Sequence, residues 1–333
     1  MPTSDNSAPQ QDDGLALYQP LLASFARSFA GPAPETRRIF HGRGHCFPGL
    51  EHLNVDWYPP VLLLAFHDEP EHLELLLQEL LAADALRQLK SVVVQKRLRH
   101  RADAELLWGE EIPTALVKED GLTFEVRPGR NRHSGLFLDT RPLRQWLQAN
   151  SYGANVLNLF AYTCSLSVAA MAGGARQVVN VDMNRPSIQW GEDNHRHNSQ
   201  ELKKVVSLPH NLFRSWGRIQ QSGRYDTVII DPPTRQRGSF DVEKNYGTII
   251  KRLPKLINPG ANVIATVNSP RIDSHFLAEQ FHRFAPGLEF VGKLPAAGEF
   301  VEKYPERGLK IYHFCQPKPG RAQASETEYV AEG

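Results

Sequence analysis

Residues 156–182 read VLNLFAYTCSLSVAAMAGGARQVVNVD, and the fold of the chain can be predicted outward from this segment. Val156–Phe160 and Val178–Asp182 have the apolar composition of buried strands, and Ser165–Met171 between them is predicted to be a helix. A strand, a helix and a second strand in so short a segment form the unit from which parallel sheets are built.

The alternation of strands and helices continues toward the C-terminus. Its further members are a helix at Pro186–Asn198, strands at Val205–Leu208 and Thr227–Asp231, a helix at Tyr246–Leu256, a strand at Ala261–Val267, a helix at Ser274–Phe284, and closing strands at Leu288–Leu294 and Leu309–Phe314. Such alternation is typical of a mainly parallel, doubly wound sheet. We therefore predict an α/β fold with a Rossmann-like domain at residues 151–317.

A smaller α+β domain is predicted to precede it, at residues 15–115. Its predicted members are helices at Leu15–Phe29 and Glu71–Leu81 and strands at Arg37–Phe40, Val61–Phe66 and Ser91–Gln95. Residues 116–150 are predicted to connect the two domains, with a β-hairpin formed by Leu122–Val126 and Gly135–Leu138.

The composition is that of an ordinary globular protein, with 41% of the 333 residues hydrophobic and 23% charged. The length favours two domains, between a disordered leader at residues 1–14 and a polar tail at residues 318–333. The formal net charge is only +1, so an RNA-binding surface would have to be a local patch. The N-terminus has no secretory signal, and no apolar run is long enough to span a membrane. We expect a cytoplasmic protein.

The three cysteines, Cys46, Cys164 and Cys315, lie far apart in the sequence. Their spacing matches neither a disulfide framework nor a zinc site, which indicates a reducing compartment. The thirteen histidines show no metal-binding spacing, and we expect no metal.

Polar residues stand where three of the predicted strands end. The first strand runs into the turn Asn158–Ser165, Asp182 ends the second, and Asp231-Pro-Pro-Thr234 ends the fourth. Ligands of doubly wound sheets bind at this edge, where a carboxylate such as Asp182 accepts hydrogen bonds from ribose hydroxyls. Each feature alone could be structural, but their order favours a nucleotide-type ligand. The first turn lacks Gly-x-Gly-x-x-Gly, which argues against NAD and for a ligand without phosphates, such as S-adenosylmethionine.

Several short motifs resemble one family, the bacterial large-subunit ribosomal RNA methyltransferases, whose catalytic domains modify N7 of guanine or carbon five of cytosine. The motifs are Gly135–Arg141, Asn158–Thr163, Gly173–Arg176, Val181–Met183, Ile230–Thr234 and Tyr304–Lys310. The resemblance implies a Rossmann-like class I methyltransferase domain, to which the closing strand pair belongs, with S-adenosylmethionine as cofactor.

The resemblance also implies roles for individual residues. The cofactor-binding positions are Phe137, Asp139 and Arg141, which would close over the cofactor, then Asn158, Phe160, Tyr162 and Thr163 in the first turn, Asp182 at the ribose, Met183 and Asn211 at the adenine, and Asp231 at the methyl group. The catalytic positions, beside the target base, are Asp231, Pro232 and Asn268.

Two residues depart from the family's pattern. Cys164 stands where the family usually has glycine, and a side chain there costs about 1–2 kcal/mol if the backbone is left-handed. The segment Ala265–Pro270 lacks the nucleophilic cysteine of the cytosine-modifying members. Carbon five of cytosine needs a thiolate to add to the ring, so we predict transfer to a base nitrogen without a covalent intermediate.

Basic residues flank the predicted pocket and are candidates for RNA contacts. They are Arg97, Arg99, Arg101, Arg235 and Arg237. They would bind phosphates, although such a run could also be a solvated face. The favoured hypothesis is methylation of RNA, in particular ribosomal RNA, with a homodimer also considered. Alternatives are methylation of a small molecule or protein, and a degenerate RNA-binding protein that no longer binds cofactor.

Overall fold

The computed structural model describes residues 13–98, 102–236, 239–273 and 275–318. The predicted leader and tail lie almost entirely outside the described residues, although Asp13–Tyr18 forms a 3-10 helix. No helix in the described part of the chain is long and apolar enough to cross a membrane.

The first unit is a five-stranded sheet in the order β1-β2-β3-β4-β5, in which only β3 and β4 are parallel. Its elements are α1 (Gln19–Ser28), β1 (Arg37–His41), β2 (Leu53–Tyr58), β3 (Val61–Phe66), α2 (Leu73–Ala83), β4 (Ser91–Lys96) and β5 (Asp103–Gly109). The predicted helices and strands are present, and β2 and β5 are additional. β2 alternates apolar and polar residues, and β5 is an exposed edge strand, so neither has the continuous apolar run of β3 and β4.

The two faces of this first sheet differ in polarity, because successive strand residues point to opposite sides. One face is apolar and packs Val55, Trp57 and Leu64 in one core with Phe25 of α1. The opposite face carries buried polar side chains, among them those of Asp56 on β2, and is turned toward the second unit.

A short hairpin joins the two units. It pairs β6 (Ala115–Glu119) with β7 (Leu122–Val126), and its two turn residues, Asp120 and Gly121, have φ angles of 49° and 79°. An Asp-Gly pair favours this two-residue turn because both positions need positive φ. The predicted pairing of Leu122–Val126 with Gly135–Leu138 is therefore wrong: the latter segment is a loop.

The second unit is a seven-stranded sheet in the order β10-β9-β8-β11-β14-β16-β15. The unit contains α3 (Arg141–Asn150), β8 (Asn155–Leu159), α4 (Ser165–Ala172), β9 (Gln177–Val181), α5 (Arg185–His197), β10 (Val205–Leu208), α6 (Trp216–Gln221), β11 (Tyr225–Ile230), β12 (Arg235–Gln236), β13 (Phe240–Asp241), α7 (Val242–Ile250), β14 (Ile257–Val267), α8 (Phe276–Phe284), β15 (Glu289–Leu294) and β16 (Lys310–Cys315). The short strands β12 and β13 pair with each other in a separate two-stranded sheet. The first five strands of that order are parallel and β16 runs against them. The helices pack as two cores on the two faces, which confirms the doubly wound sheet.

The strand order reverses between β8 and β11, so the carboxyl ends of these strands border the crevice where doubly wound sheets bind ligands. The predicted domain boundaries at residues 115 and 150 stay a proposal. Val117 and Phe124 of the hairpin share one apolar core with Leu143 of α3 and Val168 of α4, so packing is continuous across it.

Candidate active site

Asp182 lies at the end of β9 and is held by the loops on both sides of it. Its Oδ2 accepts the backbone N–H of Tyr162 at 3.0 Å, and its Oδ1 accepts that of Asn184 at 2.8 Å. Burial raises the pKa of the carboxyl, and these two hydrogen bonds oppose that shift. Each carboxylate oxygen can accept a second hydrogen bond, so a fixed acceptor remains for ligand hydroxyls.

A small pocket opens beside Asp182. Phe160, Met183 and Phe213 supply its larger apolar side chains, and Asn211 supplies a polar edge. The Oδ1 of Asn211 accepts the backbone N–H of Phe213 at 2.9 Å, which fixes the side-chain amide. A carboxylate, apolar walls and an oriented amide are the kinds of group that bind the ribose hydroxyls and the adenine of S-adenosylmethionine. The structure thus brings together four of the predicted cofactor residues: Phe160, Asp182, Met183 and Asn211.

The turn after β8 is strained. Phe160, Tyr162 and Cys164 have φ angles of 62°, 47° and 61°, in the left-handed region that non-glycine residues rarely adopt. Such residues cluster at ligand sites, where the surrounding structure holds them in place. The positive φ considered for Cys164 is thus present, and its side chain is buried.

The side chain of Cys164 fits because the facing residue of α5 is a glycine. A Cβ atom placed on Gly191 would lie 2.3 Å from the Cys164 Sγ. We expect Gly191→Ala to destabilise the protein by about 1–3 kcal/mol through overpacking. In a Cys164→Gly background the same change should have a clearly smaller effect, because the clash with sulfur is gone. Urea denaturation of the four proteins measures this coupling, and additive effects would contradict it.

The loop before α3 covers the turn. Gly135, with a φ of 106°, packs against the Trp190 ring, and its carbonyl accepts a hydrogen bond from the Thr163 hydroxyl. Farther along this loop, the Phe137 ring lies 5.5 Å from the Tyr162 ring. Phe137, Tyr162 and Thr163 are therefore close together, as the prediction requires.

Two predicted cofactor residues are placed elsewhere. Arg141 lines neither the small pocket nor the larger cavity next to it. Its Nε donates to Asp120 at 2.8 Å, and its guanidinium also reaches Glu35 at 3.3 Å. Asn158 is fully buried within the sheet and donates to the Asn180 side chain at 3.2 Å. Arg141 holds the hairpin in place, and Asn158 links two neighbouring strands. Direct contact of either residue with a cofactor stays a prediction.

Arg144 of α3, which the sequence did not point to, fixes the same loop. It forms a bidentate ion pair with Glu119, and the two side chains are 1% and 2% exposed. Its remaining nitrogen donates to the Phe137 carbonyl at 3.0 Å and to the Thr140 hydroxyl at 2.6 Å. This buried arginine therefore sets the position of the loop that carries Asp139.

Asp231 follows β11 and accepts a hydrogen bond from the Thr266 hydroxyl on β14. The pKa of its carboxyl is raised to about 6, mainly by burial. The charge of Asp139 adds to this shift, and the hydrogen bond from Thr266 opposes it. Asp139 in turn accepts a hydrogen bond from Asn268 at 3.4 Å. The structure thus places Asp139, Asp231 and Asn268 beside one another. Pro232, next in the chain, is buried.

A larger cavity of about 700 Å³ lies between the first sheet and this group of residues. The polar face of the first sheet forms one wall, and the loop before α3, Asn268 and residues 296–311 form the other. Arg97 lines the cavity, whereas Arg235 is exposed on β12. The other predicted RNA contacts, Arg99, Arg101 and Arg237, lie outside the described residues. No group of three potential metal ligands occurs in the part of the chain that the structure describes.

The motif Tyr304–Lys310 has a structural explanation. The Lys310 ammonium group donates to the carbonyls of Ser269 at 3.2 Å, Glu306 at 2.6 Å and Gly308 at 3.2 Å. The lysine thereby fastens the segment after β14, which carries Asn268, to the loop that completes the cavity wall.

A family model described as S-adenosylmethionine-dependent methyltransferase matches residues 37–315. The chain belongs to this family. It is an enzyme, and S-adenosylmethionine is its methyl donor.

Curated relatives of this methyltransferase carry the name "Ribosomal RNA large subunit methyltransferase K/L". The protein from Psychrobacter sp. is 34% identical over 168 residues, which cover 48% of this chain and 21% of that relative. The protein from Hahella chejuensis is 35% identical over 188 residues, which cover 54% of this chain and 25% of that relative. The chain thus spans no more than about a quarter of these relatives. They confirm the family resemblance that the motifs indicated.

Solved methyltransferases confirm the fold class. One from Streptococcus mutans superimposes with a TM-score of 0.78 at 21% identity, covering 92% of this chain and 83% of that one. A methyltransferase complexed with SAH superimposes with a TM-score of 0.77 at 22% identity, covering 90% of this chain and 80% of that one. A tRNA m1G37 methyltransferase of M. jannaschii superimposes with a TM-score of 0.55 at 18% identity, covering 79% of this chain and 72% of that one.

Proposed function

We propose that this methyltransferase transfers a methyl group to a ring nitrogen of a base in RNA, in particular ribosomal RNA, without a covalent intermediate. The observation that carries the proposal is the group of Asp139, Asp231 and Asn268, beside a cavity that no cysteine lines.

The positions of the cysteines support attack by nitrogen rather than carbon. Cys164 is fully buried under the first turn, and burial raises the pKa of its thiol well above the ordinary value. Cys46 and Cys315 are half-buried and do not line the cavity. Methylation of carbon five needs a thiolate that adds to the ring. A ring nitrogen already has a lone pair, so positioning it in line with the methyl group is the main requirement.

The side chains divide the work between cofactor and target. S-adenosylmethionine supplies an activated methyl group on a positively charged sulfur. Asp182 binds the ribose hydroxyls of the adenosyl group, as its position at the end of β9 supports. Asp231 accepts an N–H of the target base and so orients the ring, while Asn268 lies close enough to contact the same base.

RNA is favoured as the substrate on two grounds. The curated relatives are named as ribosomal RNA methyltransferases. A cavity of about 700 Å³ with polar walls also has room for a base turned out of its stack, as enzymes that modify bases require. A small molecule or a protein remains the alternative substrate, because the cofactor residues would be the same. A cytoplasmic location and a homodimer stay predictions.

The test uses RNA from cells with and without the gene, analysed as nucleosides by mass spectrometry. We expect one N-methylated nucleoside to disappear without the gene and to return when the purified protein and S-adenosylmethionine are added. A missing nucleoside methylated on carbon, or trapping of the protein on RNA with 5-fluorocytosine, would contradict the nitrogen assignment. Unchanged RNA would favour the alternative substrates.

The ionisation of Asp231 should be visible in the pH profile. Because burial raises the pKa of its carboxyl to about 6, kcat/KM should fall as the pH falls through that value and the acceptor is neutralised. Thr266→Val removes a hydrogen bond that lowers this pKa, so the acid limb should move up by about 1–2 units. Thr248→Val, on the exposed side of α7, should leave the profile unchanged. An unshifted limb in Thr266→Val would mean that another group titrates.

A further inference from the structure

Arg43, His67 and Arg97 line the cavity and take no part in the methyl transfer described above, although Arg97 is one of the RNA contacts that the sequence predicts. His67 follows β3 and Arg97 follows β4, and these two strands are parallel, so both residues leave the same edge of the first sheet. Arg43 lies in the connection between β1 and β2, which antiparallel pairing brings to that edge as well. We call this group the basic edge.

The guanidinium groups of the basic edge have few partners within the described part of the chain. Neither Arg43 nor Arg97 forms an ion pair with a described carboxylate. The Nε of Arg97 donates to the Gln95 side chain at 2.6 Å, and its two terminal nitrogens make no hydrogen bond to a described residue. Arg97 is half-buried, and its terminal nitrogens remain accessible from the cavity that it lines.

The nearest carboxylates are already engaged. Asp56 pairs with Arg38, and Glu302 accepts a hydrogen bond from His41 at 3.1 Å. Both also line the cavity and act electrostatically on Arg97 and Arg43, but neither forms an ion pair with the basic edge.

His67 supplies an independent indication of a ligand. Its Nε2 is buried and has no hydrogen-bond partner among the described residues. Burial, together with the charges of Arg43 and Arg97, lowers the pKa of the ring to about 3. A buried nitrogen without a partner, next to two unpaired arginines, is the environment that an anion would complete.

We propose that the basic edge binds the phosphate group of the target nucleotide, through the guanidinium groups of Arg43 and Arg97 with His67 beside them. The proposal rests on the proposed function, because the same cavity reaches Asp139 and Asn268, where the base would be methylated. Arginine suits this role because its N–H groups bind phosphate oxygens in pairs. The enzyme would then recognise a nucleotide by its backbone as well as by its base.

The test compares the binding of the four ribonucleoside 5′-monophosphates with that of their nucleosides, by calorimetry on the full chain with S-adenosylhomocysteine present. We expect the monophosphates to bind about tenfold more tightly or better, since charge-assisted hydrogen bonds are the strong ones. Arg43→Gln and Arg97→Gln should each remove most of this advantage. Arg43 is exposed, so its variant remains informative if Arg97→Gln does not fold.

The matched control is Arg27→Gln, which removes the same charge from the exposed side of α1, on the other face of the first sheet. It should retain the full advantage of the monophosphates. Equal binding of nucleosides and monophosphates by the wild type would overturn the proposal, and so would equal losses in Arg27→Gln and Arg97→Gln. Inorganic phosphate that binds as tightly as the monophosphates would overturn the assignment to a nucleotide.

The outcome is separable from that of the proposed function. If RNA is methylated but monophosphates have no advantage, the phosphate site fails and the RNA methyltransferase stands. If the advantage depends on Arg43 and Arg97 but no RNA is methylated, the phosphate site stands and the RNA substrate fails.

Discussion

Replacement of Arg144 by methionine is expected to lower the free energy of unfolding by about 3–5 kcal/mol, because it leaves the buried charge of Glu119 without a partner. The two side chains are 1% and 2% exposed, so water cannot take the place of the arginine. The Thr140 hydroxyl and the Phe137 carbonyl lose a donor at the same time. Chemical denaturation of wild type and variant measures the difference.

The pH dependence of this loss identifies its cause. Burial raises the pKa of Glu119, and Arg144 opposes that shift, so the carboxyl in Arg144→Met should have a still higher pKa. A carboxyl whose pKa is higher in the folded than in the unfolded state favours folding less as the pH rises between the two values. The variant should therefore be least impaired near pH 4–5 and most impaired above the raised pKa, where roughly the whole penalty applies.

The control removes both charges. Arg144→Met combined with Glu119→Leu should recover most of the stability, since a buried ion pair can often be replaced by apolar residues with little net change. Methyl transfer should not recover to the same extent, because the loop with Phe137 and Asp139 has still lost its anchor. A double variant as unstable as Arg144→Met would show that packing around the arginine, and not its charge, dominates.

The second unit could be predicted from the sequence because its signals are local. Each parallel strand is a short apolar run followed by a helix, and the polar residues that matter, such as Asp182 and Asp231, stand directly after these runs. Their meeting at one edge follows from the parallel arrangement alone. The comparisons confirm this fold class and the cofactor.

Other parts of the site depend on partners far apart in the sequence. Arg144 and Glu119 are 25 residues apart, and no periodic pattern links them. The polar face of the first sheet was missed for a related reason. Asp56 belongs to an alternation of apolar and polar residues in β2 rather than to a continuous apolar run, and its side chain lines the cavity and not solvent. Buried polar residues alternating with apolar ones are a signal that could have been noticed.

The strand Leu122–Val126 has two possible partners in the sequence, one before it and one after it. Leu122–Val126 was correctly predicted as a strand, and its nearest turn is Asp120-Gly121, on its N-terminal side. The loop from Gly135 also has apolar residues, but these pack beneath the loop rather than into a ladder: Leu136 and Leu138 belong to the core below it. Composition alone cannot separate a strand from a loop that covers a core.

Replacement of Asp231 by alanine is expected to lower kcat by about a hundredfold or more, with little change in the affinity for cofactor or RNA, because its proposed role is to orient the base toward the methyl group. S-adenosylmethionine binding depends instead on Asp182, whose replacement by alanine should weaken it by about 1–3 kcal/mol. Asp193→Ala is the matched control, because this half-exposed carboxylate of α5 is paired with Arg196. It should leave all three quantities unchanged. Calorimetry measures the cofactor affinity, filter binding measures the RNA affinity, and single-turnover methyl transfer measures the rate.

If Asp231→Ala lost cofactor affinity as strongly as Asp182→Ala while its single-turnover rate at saturating cofactor stayed near that of the wild type, Asp231 would be a cofactor-binding residue. The orientation of the base would then have to come from Asp139 and Asn268.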